Sequence, residues 1–154
     1  DFIGVTMIIF GIDPGFSGAW GAIDETGAYV DCGDMLHTGT FLHFNQILKA
    51  MSQVVKNDEC MAVVEAVHAM PKQGVSSSFK FGVSYGVALS LAQSLGTWSL
   101  ATPRVWKQDL ELTSDKNKSL DLARSLWPEA PLARKKDNGR AEALLMAEWK
   151  RRLL

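Results

Sequence analysis

Cysteine is nearly absent from this sequence of 154 residues. Only Cys32 and Cys60 occur, without metal-binding spacing, and one bridge would not suffice to hold a chain of this size, so reduced thiols and a cytoplasmic setting are expected. Long apolar runs are lacking too, which argues against insertion in a membrane. There is no internal repeat and no low-complexity tract. Net charge is close to nil, formally -1, and this argues against a protein wrapped in basic surface. Nucleic acid is not thereby excluded, because acids gathered around a metal lower the total without touching a basic stripe elsewhere. The positive charge is in fact uneven. Arg134, Lys135, Lys136 and Arg140 cluster, as do Lys150, Arg151 and Arg152, the last group reading as a solvated or frayed tail.

What is present suits one globular domain over residues 7–154, with 47% hydrophobic and 21% charged residues. The leading DFIGVT has neither a basic segment nor a cleavage site, so it does not read as a signal peptide. Residues 1–6 read as an appended or upstream remnant, with Met7 as the natural start. The stretch that follows, MIIFGIDPGFSG from Met7 to Gly18, organises the chain. Met7 to Phe10 suits a buried strand, and Gly11, Pro14, Gly15 and Gly18 break it. Asp13 therefore projects from the end of a hydrophobic strand, where its desolvation must be met by a cation or by hydrogen-bond donors. A plain hairpin turn, which Asp-Pro-Gly also suits, is the competing reading.

Further along, Ala19 to Ile23 and Tyr29 to Cys32 predict an antiparallel meander around Glu25-Thr26-Gly27. Thr38 or Thr40 is expected to cap a helix carrying Phe41, Phe44, Ile47, Leu48 and Met51 on one face. Met61 to Val64 is a second apolar strand, and it too ends in an acid, Glu65. Val67 to Ser78 reads as a flexible loop, Phe79 to Leu95 as a helix closed by Gly96, and Trp98 to Ala101 as a strand. A short helix or turn over Arg104 to Leu110, a helix over Lys116 to Leu126 capped by Ser114 or Asp115, and a last helix from about Gly139 to Leu153 complete the pattern. Strands at the front followed by alternating helices and strands imply an α/β domain with a mixed sheet.

In such a sheet Asp13 and Glu65 stand at the C-terminal strand ends, where ligand sites lie. Asp137 and Glu142, near the start of the last helix, could join them. Four close carboxylates repel unless divalent cations sit between them, and an all-oxygen set favours Mg²⁺ or Mn²⁺ over Zn²⁺. A pair of such ions suits in-line hydrolysis of a phosphodiester.

Four segments in order, GIDPGFSG, VVEAVHAMPKQGVSS, TPRVWK and KKDNGRAEALLMAEW, resemble RuvC-type Holliday-junction resolvases of the RNase H-like superfamily, in the branch common among phages and prophages. The resemblance implies an RNase H-like mixed β-sheet flanked by α-helices and a Mg²⁺-dependent junction endonuclease, with Mn²⁺ able to substitute. It assigns Asp13, Glu65, Asp137 and Glu142 as metal-binding catalytic acids, although the two late acids stand further apart than in many relatives. Lys107 and Lys116 match basic residues near the cleaved strand, with Lys107 the better placed because it follows Trp106. Contacts with DNA are expected from His68, Met70 and Lys72 in a junction-probing loop, from Ser76, Ser77 and Lys80 at the following helix N-terminus, and from Arg140 in the basic cluster. Branched DNA is the implied partner and a homodimer the implied assembly, the helix with Gly82, Tyr85 and Gly86 facing either its own domain or a second copy. A phage-encoded protein would act in the bacterial host cytoplasm. Three other readings stay open: a broader branched-DNA nuclease, a silent junction binder, and an actin-like nucleotide-binding protein with a related glycine turn.

Overall fold

The computed structural model of the chain describes residues 6–154. Of the expected upstream remnant, residues 1–5 lie outside the described residues, whereas the Thr6 hydroxyl donates to Asp58 at 2.8 Å. In chain order come β1 (Met7–Asp13), β2 (Ala19–Asp24), β3 (Tyr29–Asp34), the two-residue strands β4 (His37–Thr38) and β5 (Phe41–Leu42), and α1 (Phe44–Val55). Then follow β6 (Glu59–Glu65), α2 (Val75–Leu95), β7 (Thr97–Ala101), α3 (Pro103–Asp109), α4 (Lys116–Leu126), a 3₁₀ turn (Lys135–Asp137) and α5 (Asn138–Arg152). The main sheet has the order β3-β2-β1-β6-β7. β1 and β2, and β2 and β3, pair antiparallel; β1 and β6, and β6 and β7, pair parallel. This is the mixed sheet flanked by helices that the sequence predicts.

Two helix boundaries differ from expectation. α1 starts at Phe44 because β4 and β5 pair across a turn at Gly39, whose φ of +58° suits glycine, and so use the backbone assigned to the first helical turn. Neither Thr38 nor Thr40 caps that helix; Thr38 Oγ1 instead lies 2.6 Å from His43 Nε2. α2 begins at Val75 rather than Phe79, which takes Ser76, Ser77 and Ser78 out of the loop and into its first turn. Asp115 caps α4 as expected, its side chain accepting from the Asn117 amide at 2.9 Å.

Alternation along the strands divides the core. Phe10, Ile12, Trp20 and Val64 face α1 and α2, where they meet Ile47, Met51 and Leu91. Ile9, Ile23 and Val63 face the other side, where Trp106, Leu120, Leu144 and Leu145 cover them. Asp13 and Glu65 have the parity of Ile9 and Val63, so both point to the α5 face. The register pairs Ile12 with Val64, placing the two acids side by side just beyond it. α5 lies directly on the sheet, since a Cβ at Gly11 would overlap the Ala143 carbonyl and one at Gly21 would meet Leu144 at 2.7 Å. These glycines let the helix backbone approach the strands and bring Glu142 down over the end of β1.

Candidate metal centre

The carboxylates of Asp13, Glu65 and Glu142 each offer an oxygen within 4.8 Å of the others. Their sources are independent: two neighbouring parallel strands and the helix packed across them. Burial, followed by the charges of Glu65 and Glu142, raises the Asp13 pKa well above its ordinary value, against the pull of Lys116 and Lys107. The Glu65 pKa is also raised, again chiefly by burial, although a hydrogen bond from Trp106 opposes the shift. That bond runs from the indole Nε1 to Glu65 Oε2 at 2.9 Å. The next residue, Lys107, brings its Nζ to 3.3 Å from Glu142 Oε1 and 5.3 Å from the centre of the Trp106 ring. Glu142 Oε1 is buried and has no hydrogen-bond partner among the described residues. The ammonium thus faces this oxygen at ion-pair distance without hydrogen-bond geometry, and a lone pair is left free. An all-oxygen donor set, mutual repulsion and a buried acceptor without a partner fit a hard divalent cation.

Asp137 is the exception among the predicted acids. Its side chain is 3% exposed and accepts from the Arg134 guanidinium at 2.7 Å and from the Arg134 backbone amide at 2.8 Å, so that it caps the 3₁₀ turn. Burial opposes ionisation, but these hydrogen bonds and the arginine charges prevail and hold the Asp137 pKa below its ordinary value. The physical reason for its absence from the centre is angular. Five residues at about 100° each set Asp137 and Glu142 roughly 140° apart around a helix. The position one turn before Glu142 is Gly139, where a Cβ would lie 3.6 Å from Asp13 Oδ2. The fourth corner, expected to hold an acid, therefore carries no side chain.

Arg140 is likewise committed within the fold. It donates to both oxygens of Asp34, at 2.7 and 3.0 Å, and to the Pro131 carbonyl at 3.1 Å. With 17% of its side chain exposed, it does not present the free guanidinium expected for a DNA contact. The other predicted contacts surround the acids differently. His68, Met70 and Lys72 are exposed in the segment after Glu65. Ser76, Ser77 and Lys80 line a concavity with Gly15 and Phe16, joining the start of α2 to the β1–β2 turn. Lys116 is exposed, and its charge reaches both Asp13 and Glu65.

Sequence reasoning missed the Trp106–Glu65 hydrogen bond and the Asp34–Arg140 pair. A signal for the first existed in Trp106 itself, since a buried indole needs an acceptor for its N–H. The separation of 106 positions between Asp34 and Arg140 left no signal for the second.

No family model matches the chain. A curated relative, "Holliday junction resolvase MOC1, chloroplastic" from Chlamydomonas reinhardtii, is 42% identical over 91 residues, or 56% of this chain. The matched stretch is 10% of that relative's length. Among solved structures, "T. thermophilus RuvC in complex with Holliday junction substrate" superposes with a TM-score of 0.65 at 18% identity, covering 96% of each chain. "Thermus thermophilus RuvC structure" does so with the same score and coverage at 19% identity. The fold is that of RuvC.

Proposed function

We propose that the chain is a divalent-metal-dependent endonuclease that resolves four-way DNA junctions by paired phosphodiester hydrolysis. The observation that carries this reading is the convergence of Asp13, Glu65 and Glu142 at the strand ends, with Lys107 against one of them. The likeness to a protein named as a Holliday junction resolvase and to one solved in complex with a Holliday junction substrate supports the choice of substrate.

Asp13, Glu65 and Glu142 would hold Mg²⁺, or Mn²⁺ in its place. Bound there, such ions supply activation of water for in-line attack and stabilisation of the departing oxygen. Lys107, held beside Glu142, meets the charge that builds on the oxygens of the scissile phosphate, and this preorganised cation favours the transition state over the bound substrate. Lys116, outside the carboxylate ring, draws the phosphate backbone toward an otherwise negative site. Amides of the first turn of α2, with Ser76, Ser77 and Lys80, receive a neighbouring phosphate. His68, Met70 and Lys72 reach the branch point from the segment after Glu65. Asp137 and Arg140 act indirectly, by fixing the start of α5 and thereby Glu142.

A junction has two strands to cut, and two copies related by a two-fold axis would present two centres in matching orientation. The outward face of α2 is suited to that assembly. Val75 and Phe79 are exposed on it, and the space beyond Gly82 and Gly86 is open.

The test offers the purified chain, with Mg²⁺, a four-way junction, a fork, a flap and a linear duplex of the same sequence. Symmetric nicking of the junction is expected. Equal cutting of fork and flap would favour the broader branched-DNA reading, and equal cutting of linear duplex would overturn structure specificity altogether.

A further inference from the structure

We propose that Trp106 is a positioning residue that restrains Glu65 to one-oxygen coordination and so biases the centre toward small octahedral ions over Ca²⁺. The inference rests on the metal-centre reading above. Its ground is the way α3 meets the acids. Trp106 is fully buried in the core with Ile9, Val63 and Leu145, so its ring has no room to swing. The indole N–H has one acceptor, Glu65 Oε2 at 2.9 Å. A rigid donor directed at one oxygen fixes the plane of the carboxylate and leaves Oε1 as its free end. Lys107, next in sequence, stands 3.3 Å from Glu142. Consecutive residues of one short helix therefore restrain two of the three converging acids.

The choice of ion follows from coordination chemistry. Ca²⁺ takes six to eight oxygens and commonly binds a carboxylate through both of them, whereas Mg²⁺ and Mn²⁺ favour octahedral sites with one oxygen per carboxylate. An N–H that occupies Oε2 opposes two-oxygen binding by Glu65. Replacing it with a C–H would free that oxygen, loosening the hold on small ions while improving accommodation of Ca²⁺. Partners of this kind typically change metal affinity about 10–100-fold when removed.

The experiment titrates the metal-free chain with Mn²⁺, following free Mn²⁺ by electron paramagnetic resonance, and then competes bound Mn²⁺ with Ca²⁺. Trp106→Phe, which keeps the aromatic packing and removes the donor, should weaken Mn²⁺ about tenfold and lower the excess of Ca²⁺ needed to displace it. Trp149→Phe is the matched control, because it also removes an indole N–H given to a carboxylate, that of Asp109 at 2.8 Å, and it should leave both quantities unchanged. A wild-type chain that binds no Mn²⁺ would overturn the metal-centre reading itself. Wild-type binding with an unaltered Trp106→Phe variant would overturn the positioning role alone. Equal weakening of Mn²⁺ and Ca²⁺, or an equal effect of Trp149→Phe, would overturn the ion bias. Should Trp106→Phe fail to fold, the wild type labelled with ¹⁵N-tryptophan decides: substoichiometric Mn²⁺ should broaden one indole N–H resonance before the other four, and uniform broadening would overturn the proposal.

Discussion

Two groups of carboxylates flank the start of α5, and their charges are balanced in opposite ways. Around Asp137 the signs alternate: Arg134 binds Asp137 at 2.7 Å, and Arg140 spans from near Asp137 to Asp34, to which it donates twice. Around Asp13, three acids share the lysines Lys107 and Lys116, and a buried oxygen of Glu142 stays without a hydrogen bond. One group is satisfied by the chain itself and braces the 3₁₀ turn against α5. The other keeps a buried acceptor without a hydrogen-bond partner among the described residues. The contrast separates the two groups better than burial does, since Asp137 is at least as deeply buried as Glu142. Burial opposes ionisation of both; at Asp13 it leads the upward shift and the charges of Glu65 and Glu142 add to it, whereas at Asp137 the Arg134 hydrogen bonds and the arginine charges overcome it.

The comparison breaks most directly at Asp13. Asp13→Asn keeps the side chain's shape and removes one ligand charge, so junction nicking in Mg²⁺ should fall by roughly 10²–10³-fold or more. Junction affinity without metal should persist or rise, because a charge that repels phosphate has gone. The thermal midpoint should hold or increase as repulsion from Glu65 and Glu142 is relieved. Normal nicking by the folded variant would remove Asp13 from the centre.

Lys107→Ala should have the next largest effect. A cation used at the transition state matters more to rate than to binding among many phosphate contacts, so nicking should slow by about 10–100-fold while junction affinity changes only a few-fold. Equal losses of rate and affinity would reduce Lys107 to a groove contact.

The other group should respond in stability. Asp137→Ala leaves the Arg134 amide and guanidinium without their acceptor, a loss of about 1 kcal/mol and hence about 2–4 °C in thermal midpoint. Nicking by the folded variant should stay within several-fold of wild type. A loss as deep as that of Asp13→Asn, with the midpoint unchanged, would return Asp137 to the chemistry.

Asp13 and Glu65 were legible as acids that end two apolar strands, which the register sets side by side, although Asp-Pro-Gly alone suits a hairpin turn as well. Glu142 was legible through its motif. The hydrogen bonds of Asp137 to Arg134 were not, since an acid just before a helix can cap it as well as ligate, and the choice depends on where the 3₁₀ turn gives way to α5. The opening meander and the mixed character of the sheet followed from strand pattern, whereas the small β4–β5 hairpin was hidden because two-residue strands have no periodicity to read.

The smallest expected effect uses pH to separate the two groups in the metal-free protein. Asp13 and Glu65 have native pKa values above their unfolded ones, so between the ordinary carboxylate range, about 4, and those raised values the native state binds more protons than the unfolded chain. Stability must fall as pH rises through that interval. Asp137 has the opposite sign: its contribution is present above its unfolded pKa and is lost as pH falls through its lowered native value, below about 4. Acidifying from pH 8 to about 5 should therefore raise the thermal midpoint, and further acidification should lower it. Mg²⁺ should flatten the upper limb by stabilising the ionised centre. Asp13→Asn should flatten the same limb without metal, whereas Asp137→Asn should reduce only the fall below about pH 4. Calorimetric scans across pH, with and without Mg²⁺, measure both limbs. An upper limb unchanged in Asp13→Asn, or one that responds to Asp137→Asn instead, would show that the unbalanced charge lies in the other group.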